Sequence, residues 1–133
     1  MKDILNAKVK DREYYRPFAP IVRLEDVSEY FNWEGPSEFM SFCPTVKEEY
    51  RDILPSITHV DGTARVQTIT REKNPFIYDC LTLFKERTGV GVLINTSFNI
   101  NGKPILSSYA DAFWLYDNTK MDCLYLDGYY FWK

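Results

Sequence analysis

One segment of the sequence has the features of a helix followed directly by a strand. Asn74 and Pro75 have the order typical of a helix start, with asparagine as the N-cap and proline at the first helical position. Apolar side chains then follow with the i, i+3, i+4, i+7 spacing of one helix face, at Ile77, Cys80, Leu81 and Phe84. Gly89 is placed as a C-terminal glycine, and the apolar run at residues 90–94 predicts a buried strand.

Further helices and strands alternate along the rest of the chain. Ile21 and Val22 start a predicted strand, and a short amphipathic helix follows, with Leu24, Val27 and Phe31 on one face, ending near residues 35–36. Residues 38–43 alternate as a strand does, and residues 46–53 form a weaker helical pattern. This alternation indicates an α/β fold with a mixed sheet.

The last third of the chain predicts one helix and two strands. Ser108 and Asp111 have the spacing of a capping box, which predicts a helix from there to about Tyr116. Residues 123–126 and 129–132 read as strands on either side of an Asp-Gly turn.

Length and composition favour a single cytoplasmic domain of residues 1–133. The chain contains no run of 18 apolar residues, and its first residues lack the apolar stretch of a signal peptide. Three widely spaced cysteines predict reduced, mostly buried thiols rather than disulfides, and the single histidine excludes a metal site that needs two. We predict no metal ligands.

A polar segment follows the predicted strand at residues 90–94. Residues 95–104 concentrate hydroxyl and amide side chains around Gly102, which suits contact with a phosphate, carbamoyl or nucleotide group. In open α/β sheets, ligands bind outside the carboxyl ends of strands. An ordinary polar loop is the alternative interpretation.

The charges are distributed unevenly along the chain. The net charge of −3 argues against non-specific binding of nucleic acid. Residues 8–23 nevertheless carry an excess of basic residues over Asp11 and Glu13, which predicts either a focused anion site or a solvated charged surface. The basic residues are Lys8, Lys10, Arg12, Arg16 and Arg23.

Residues 58–69 predict a hairpin around Asp61-Gly62. With a two-residue turn, Arg65 faces away from Val66, whereas His59 pairs with Ala64 on the opposite face. Arg65 is therefore a candidate anion ligand, because guanidinium groups bind phosphate and carboxylate oxygens in a planar, bidentate manner. We interpret His59 as structural.

Three motifs together resemble the C-terminal domain of the NodU/CmcH-type O-carbamoyltransferases. They are residues 10–20, the string at residues 58–67, and Asn95-Thr96-Ser97-Phe98-Asn99 followed by Gly102-x-Pro104. The resemblance covers essentially the whole chain. It implies a YrdC-like fold, that is, an open twisted mixed sheet with flanking helices.

The resemblance also implies a reaction. Such a domain takes carbamoyl phosphate and ATP, with Mg²⁺, and forms carbamoyladenylate. By position in the motifs, Lys10, Arg16 and Arg65 resemble the basic clamp on carbamoyl phosphate, and Ser97 resembles a phosphate or carbamoyl ligand. These four residues are the predicted catalytic set. The predicted substrate-binding set is Asn95, Thr96 and Asn99.

Chains of this family are usually much longer, with an N-terminal domain that passes the carbamoyl group to a hydroxyl of a small acceptor. We therefore expect this chain to be an excised or free-standing C-terminal domain that depends on such a partner. Two alternatives remain, both without catalysis. One is a binding module for RNA, and the other is a structural subunit that needs a partner, for which the aromatic residues 129–132 are the motivation.

Overall fold

The computed structural model describes residues 1–10, 13 and 15–133. These residues form two compact units. Unit 1 comprises Met1–Arg16 and Ser97–Lys133, and unit 2 comprises Pro17–Thr96. Of the five basic residues of the segment at residues 8–23, Arg12 lies outside the described residues, as do Asp11 and Tyr14 of the same segment.

Unit 2 is built on a three-stranded sheet. Its strands are β1 (Ala19–Arg23), β2 (Gln67–Ile69) and β3 (Val92–Asn95), in the order β2-β1-β3. The central strand β1 runs parallel to β2 and antiparallel to β3. Four of its five residues are buried, so the sheet is most apolar at its centre. The predicted α/β class with an open mixed sheet is confirmed.

The longest helix of unit 2 begins and ends where the sequence predicts. Helix α4 spans Pro75–Thr88, and the side chain of Asn74 accepts a hydrogen bond from the backbone nitrogen of Ile77 at 3.0 Å. Gly89 ends the helix with a φ of 77°, a left-handed conformation that glycine adopts without steric cost. Leu81 on the inner face is fully buried.

The remaining helices of unit 2 are short. A turn of 3₁₀-helix at Leu24–Asp26 continues into α2 (Val27–Tyr30), which confirms the helix predicted there but ends before residues 35–36. Helix α3 (Glu48–Arg51) is the central part of the predicted helix at residues 46–53.

The strand predicted at residues 38–43 is wrong. Residues 38–40 form a turn and a bend, and residues 41–43 have no regular structure; Phe39 is 85% exposed and Met40 has a φ of 57°. A strand places alternate side chains on a buried face, and this segment has none: Phe42 is also exposed, and its ring contacts that of Trp33 at 4.4 Å between centroids.

The hairpin predicted with a two-residue turn is also wrong. The backbone nitrogen of His59 donates to the carbonyl of Thr63 at 2.8 Å, so three residues separate the bonded pair. Gly62 has a φ of 79°, as in longer turns that place glycine in the left-handed region. Beyond the turn, Ala64 donates to the carbonyl of Pro44 at 2.9 Å, and the segment therefore pairs with residues 44–46.

Strand β3 differs from the buried strand predicted at residues 90–94. It begins at Val92, lies at an edge of the sheet, and leaves Ile94 half-buried. Because β3 runs antiparallel to β1, its carboxyl end lies beside the amino end of β1. The rule that ligands bind outside the carboxyl ends of parallel strands therefore does not account for the polar segment that follows.

Unit 1 joins the first 16 residues to the last 37 or so of the chain. Its helices are α1 (Lys2–Leu5), a π-helical segment at Asn6–Lys10, and α5 (Tyr109–Asn118). The Ser108 side chain accepts from the backbone nitrogen of Asp111 at 3.1 Å, which confirms the predicted cap. Strands β4 (Cys123–Leu126) and β5 (Tyr129–Trp132) form the predicted hairpin.

The cysteines and the length of the helices bear on two further predictions. All three cysteines are free, but Cys43 and Cys123 are exposed and Cys80 is half-buried, so the prediction of mostly buried thiols is wrong. The two exposed thiols lie in the irregular segment at residues 38–43 and on the hairpin. Within the described part of the chain, no helix combines the length and apolar character needed to cross a membrane.

Candidate anion-binding site

Unit 1 contains a small cleft on which four predicted site residues converge. Its volume is about 200 Å³. The cleft is lined by Lys10, Arg16, Ser97, Asn99, Ile100, Asn101 and Gly102. Two of these residues are cationic, and most of the others offer hydroxyl, amide or backbone donors. The cleft therefore suits a small anion, and we refer to it as the anion cleft.

Lys10 is the buried centre of this cleft, with 4% of its surface exposed. Its Nζ donates to the carbonyl oxygens of Ser97 and, at 2.9 Å, Asn99, and it also contacts Asn99 Oδ1 at 3.1 Å. In the reverse direction, the backbone nitrogen of Asn101 donates to the Lys10 carbonyl at 2.9 Å. Lys10 thus holds the loop at residues 97–101 in place and sets a positive charge beneath it.

The loop is stabilised further by its own side chains. Asn99 Nδ2 donates to the carbonyl of Lys103 at 2.8 Å, so its Oδ1 must be the acceptor for Ser97 Oγ at 2.6 Å. Gly102 has a φ of 72°, which permits the turn. The Ser97 hydroxyl must rotate away from Asn99 before it donates to a ligand oxygen.

Arg16 is the more accessible cation of the cleft. Its side chain is 51% exposed and lies 3.6 Å from a carboxylate oxygen of Glu13. An exposed ion pair at this distance contributes little to stability, so the guanidinium can exchange this partner for an incoming anion at small cost. The backbone carbonyl of Arg16 accepts from Asn6 Nδ2 at 3.2 Å, which fixes the main chain.

Three predicted residues, Arg65, Asn95 and Thr96, belong to unit 2 instead. Arg65 and Thr96 are exposed, and Ala64 and Val66 on either side of Arg65 are buried, as the predicted alternation requires.

Gln67, the last residue of the motif at residues 58–67 but not among the predicted site residues, holds the side chain of Asn95. Asn95 Nδ2 donates to Gln67 Oε1 at 2.5 Å, and Gln67 Nε2 donates to the carbonyl of Glu38 at 2.8 Å. A single polar residue on a short strand has no spacing signal that distinguishes it from an ordinary surface position.

The ring of His59 forms a hydrogen bond within its own turn. Its Nδ1 lies 2.9 Å from Thr63 Oγ1, and the ring is half-buried. Asp61 accepts from both the backbone nitrogen and the hydroxyl of Thr63, and these bonds hold the pKa of the Asp61 carboxyl below its ordinary value. Thr63 thus links His59 and Asp61 within the turn, and this contact of His59 is a structural one.

Arg23, although part of the basic run, is engaged in a charge cluster of unit 2. Its Nε donates to Asp26 Oδ2 at 2.6 Å, and Lys85 Nζ donates to Asp26 Oδ1 at 2.9 Å. Burial opposes ionisation of Asp26, but these two cations outweigh it and hold the pKa of the carboxyl below its ordinary value. Lys8 is exposed. Of the described basic residues, Lys10 and Arg16 therefore form the anion cleft.

A second cleft of unit 1, also missed by the sequence analysis, adjoins the anion cleft through Ile100. Its volume is about 390 Å³, and it is lined by the segment at residues 100–107 and by the side of α5 that carries Asp111, Trp114 and Leu115. Trp114 is 51% exposed. We refer to it as the Trp114 cleft. Its apolar walls and larger volume suit an organic ligand.

Comparison with known proteins agrees with the motifs. The family model described as carbamoyltransferase C-terminus matches residues 1–133. Nodulation protein NolO of Bradyrhizobium diazoefficiens is 48% identical over 92% of this chain and 23% of its own length. Nodulation protein NolNO of Sinorhizobium fredii is 46% identical over 96% of this chain and 19% of its own.

A third relative has a name that states its activity. The 3'-hydroxymethylcephem-O-carbamoyltransferase of Amycolatopsis lactamdurans is 41% identical over 83% of this chain and 21% of its own length. The chain thus spans about a fifth of the length of these relatives. The match of the family model along the entire sequence shows that the chain belongs to the family of carbamoyltransferase C-terminal domains.

Proposed function

We propose that this chain binds carbamoyl phosphate and ATP and forms carbamoyladenylate. One water is consumed, and phosphate and pyrophosphate leave. A separate N-terminal domain, of the kind that the longer relatives have room for, then passes the carbamoyl group to the hydroxyl of a small molecule. The family and the named activity of the relative from Amycolatopsis lactamdurans support carbamoyl transfer. The proposed compartment is the cytoplasm, where ATP is available.

The anion cleft is the observation that carries this proposal. At about 200 Å³ it is smaller than the roughly 300–1,000 Å³ of pockets for larger organic ligands, so it favours a compact anion such as carbamoyl phosphate. Transfer of phosphoryl groups depends mainly on positioning and charge neutralisation, and a cleft with Lys10 and Arg16 supplies both.

Six of the seven predicted residues have a proposed role as follows, and Asn99 positions the Ser97 hydroxyl within the loop. Arg16 binds the phosphoryl oxygens directly, while Lys10 supports the loop and contributes its charge from below. Ser97 donates its hydroxyl to the ligand after it rotates away from Asn99. Arg65, with its exposed guanidinium, is proposed as a further phosphate ligand, and Asn95 and Thr96 as ligands of the carbamoyl group.

ATP requires a larger site than the anion cleft, and the Trp114 cleft has the volume for its base. An exposed indole offers a flat surface on which a nucleobase can stack, worth roughly 1–3 kcal/mol per base in proteins that bind single strands. We therefore propose Trp114 as the stacking residue for adenine.

The residues that line the anion cleft do not fit Mg²⁺, because this ion prefers carboxylate and phosphate oxygens and the lining set contains no carboxylate. In the proposal Mg²⁺ accompanies the phosphates of ATP, and no step is assigned to it.

Calorimetric titration of carbamoyl phosphate into the chain tests the proposal. We expect Arg16→Ala and Arg65→Ala to weaken binding on the order of tenfold or more, the loss of one charge-assisted contact. Arg71→Ala is the matched control, because Arg71 is an exposed arginine paired with Asp79 on the surface of unit 2. The same binding constant in all three variants would refute the proposed site. Carbamoyl-phosphate-dependent release of pyrophosphate from ATP then tests the chemical step.

A further inference from the structure

The side-chain amides of Gln67 and Asn95 form a chain of hydrogen bonds whose direction is fixed. It starts at the backbone carbonyl of Glu38, which can only accept, so the Gln67 group 2.8 Å away must be its Nε2. The other end of the Gln67 amide is therefore its oxygen, which can only accept from Asn95 Nδ2. The orientation of the Asn95 amide follows from that of the Glu38 carbonyl.

This direction determines what Asn95 offers to a ligand. One of the two Nδ2 hydrogens is donated to Gln67, so the Asn95 oxygen Oδ1 is the end of the amide turned away from Gln67. The residue is half-buried at the last position of β3. A carbonyl oxygen accepts hydrogen bonds and cannot donate to phosphoryl oxygens. The Oδ1 end of Asn95 therefore matches a ligand group that carries N–H donors.

The positions of Gln67 and Asn95 in the sheet support such a role. In the register of β1 with its two neighbours, Ile21 lies opposite Gln67 on one side, and Ala19 lies opposite Asn95 on the other. Side chains two residues apart on a strand share a face, so Gln67 and Asn95 reach each other across β1 on the same face of the sheet. The strands, rather than a loop, set the position of the Asn95 amide.

From these observations we propose that Gln67 is a positioning residue that turns the Asn95 carbonyl toward the amino group of a carbamoyl donor. The inference rests on the proposed function and adds a basis for specificity to it. Carbamoyl phosphate carries an NH₂ group where acetyl phosphate carries a methyl group, and the two compounds share the same phosphoryl end. Asn95 Oδ1 accepts from the first and loses its partner with the second.

Binding of these two compounds to the 133-residue chain tests the inference. We expect the wild-type chain to prefer carbamoyl phosphate over acetyl phosphate on the order of tenfold, the effect of leaving one acceptor without its donor. Asn95→Leu should abolish this preference, and so should Gln67→Leu. Asn32→Leu is the matched control, because Asn32 is an exposed asparagine of unit 2.

A conservative variant separates positioning from a general structural role. In Gln67→Glu, one carboxylate oxygen still accepts from Asn95 Nδ2, whereas the second cannot donate to the Glu38 carbonyl and turns to water at this half-buried position. The preference should therefore be retained. This variant also decides the question if Gln67→Leu lacks a cooperative thermal transition. A folded Gln67→Leu chain that keeps the preference, or a Gln67→Glu chain that loses it, would overturn the inference.

The proposed function fails in a different way. A wild-type chain that binds neither compound would refute the proposed function, and the inference with it. A wild-type chain that binds both compounds equally would leave carbamoyl phosphate as a ligand and refute only the role of Asn95 and Gln67.

Discussion

Replacement of Lys10 by methionine tests whether this lysine builds the anion cleft or only binds its ligand. Methionine keeps much of the length and apolar volume of the stem and removes the ammonium group. Lys10 is 4% exposed, and its Nζ contacts three oxygens of the loop at residues 97–101. A lysine that serves only as a ligand would instead project into solvent, as Lys8 does in the same segment.

The magnitude follows from these contacts. A hydrogen bond to a charged group contributes about 1.5–3 kcal/mol. Because Ser97 is exposed and Asn99 half-buried, water replaces part of the lost bonding, and we expect the variant to lose about the value of one such bond rather than of three. For a chain of this length each kcal/mol corresponds to roughly 3–5 °C in Tm.

Thermal unfolding followed by circular dichroism measures the effect, with Lys8→Met as the matched control. We expect Lys10→Met to melt clearly lower than the wild type and Lys8→Met to melt with it. Carbamoyl phosphate should also bind more weakly to Lys10→Met, because the loop loses its support. An unchanged Tm in Lys10→Met would refute the view that this lysine holds the loop.

Three further results are expected. Trp114→Ala should weaken binding of ATP by roughly 1–3 kcal/mol in a fluorescence titration, whereas Trp132→Ala on the hairpin should not; equal effects would rule out stacking on Trp114. The cations beside Asp26 lower its pKa, so its contribution to stability is present above about pH 4 and is lost as the pH falls through the lowered value. Asp26→Asn should therefore flatten the acid decline of the unfolding free energy in urea titrations, and a decline as steep as in the wild type would contradict this. Ile94→Ala on the edge strand should cost less than about 2 kcal/mol and Leu81→Ala about 2–5 kcal/mol, and the reverse order would show that β3 is buried.

The features that local chemistry determines were predictable from the sequence. Asn74 and Ser108 begin their helices, and Gly89 ends one, through bonds within a few residues. The structure has all three as predicted. The Asp127-Gly128 turn was predictable for the same reason. A tight hairpin turn of this type needs positive φ at both central residues, and their values are 50° and 89°.

The features that depend on distant parts of the chain were not predictable in the same way. Residues 38–43 alternate as a strand does, but no strand in the described part of the chain pairs with them, and none of their side chains is buried. The pattern at residues 90–94 does not reveal whether a strand lies at the centre or the edge, since this depends on which strands pair. Similarly, the motifs identify Lys10 as a candidate, whereas only the three-dimensional structure shows it buried beneath the loop.

The pairing of Ala19 with Asn95 has a consequence for the order of folding. Unit 2 begins two residues before Ala19 and ends one residue after Asn95, so its sheet fixes its two chain ends at the spacing of adjacent strands. Without that sheet, contact between Lys10 and Ser97 would require closure of an 87-residue loop, with the entropic cost that this entails. We therefore expect unit 2 to fold first and the anion cleft to assemble afterwards, as a late product of the chain's own self-assembly.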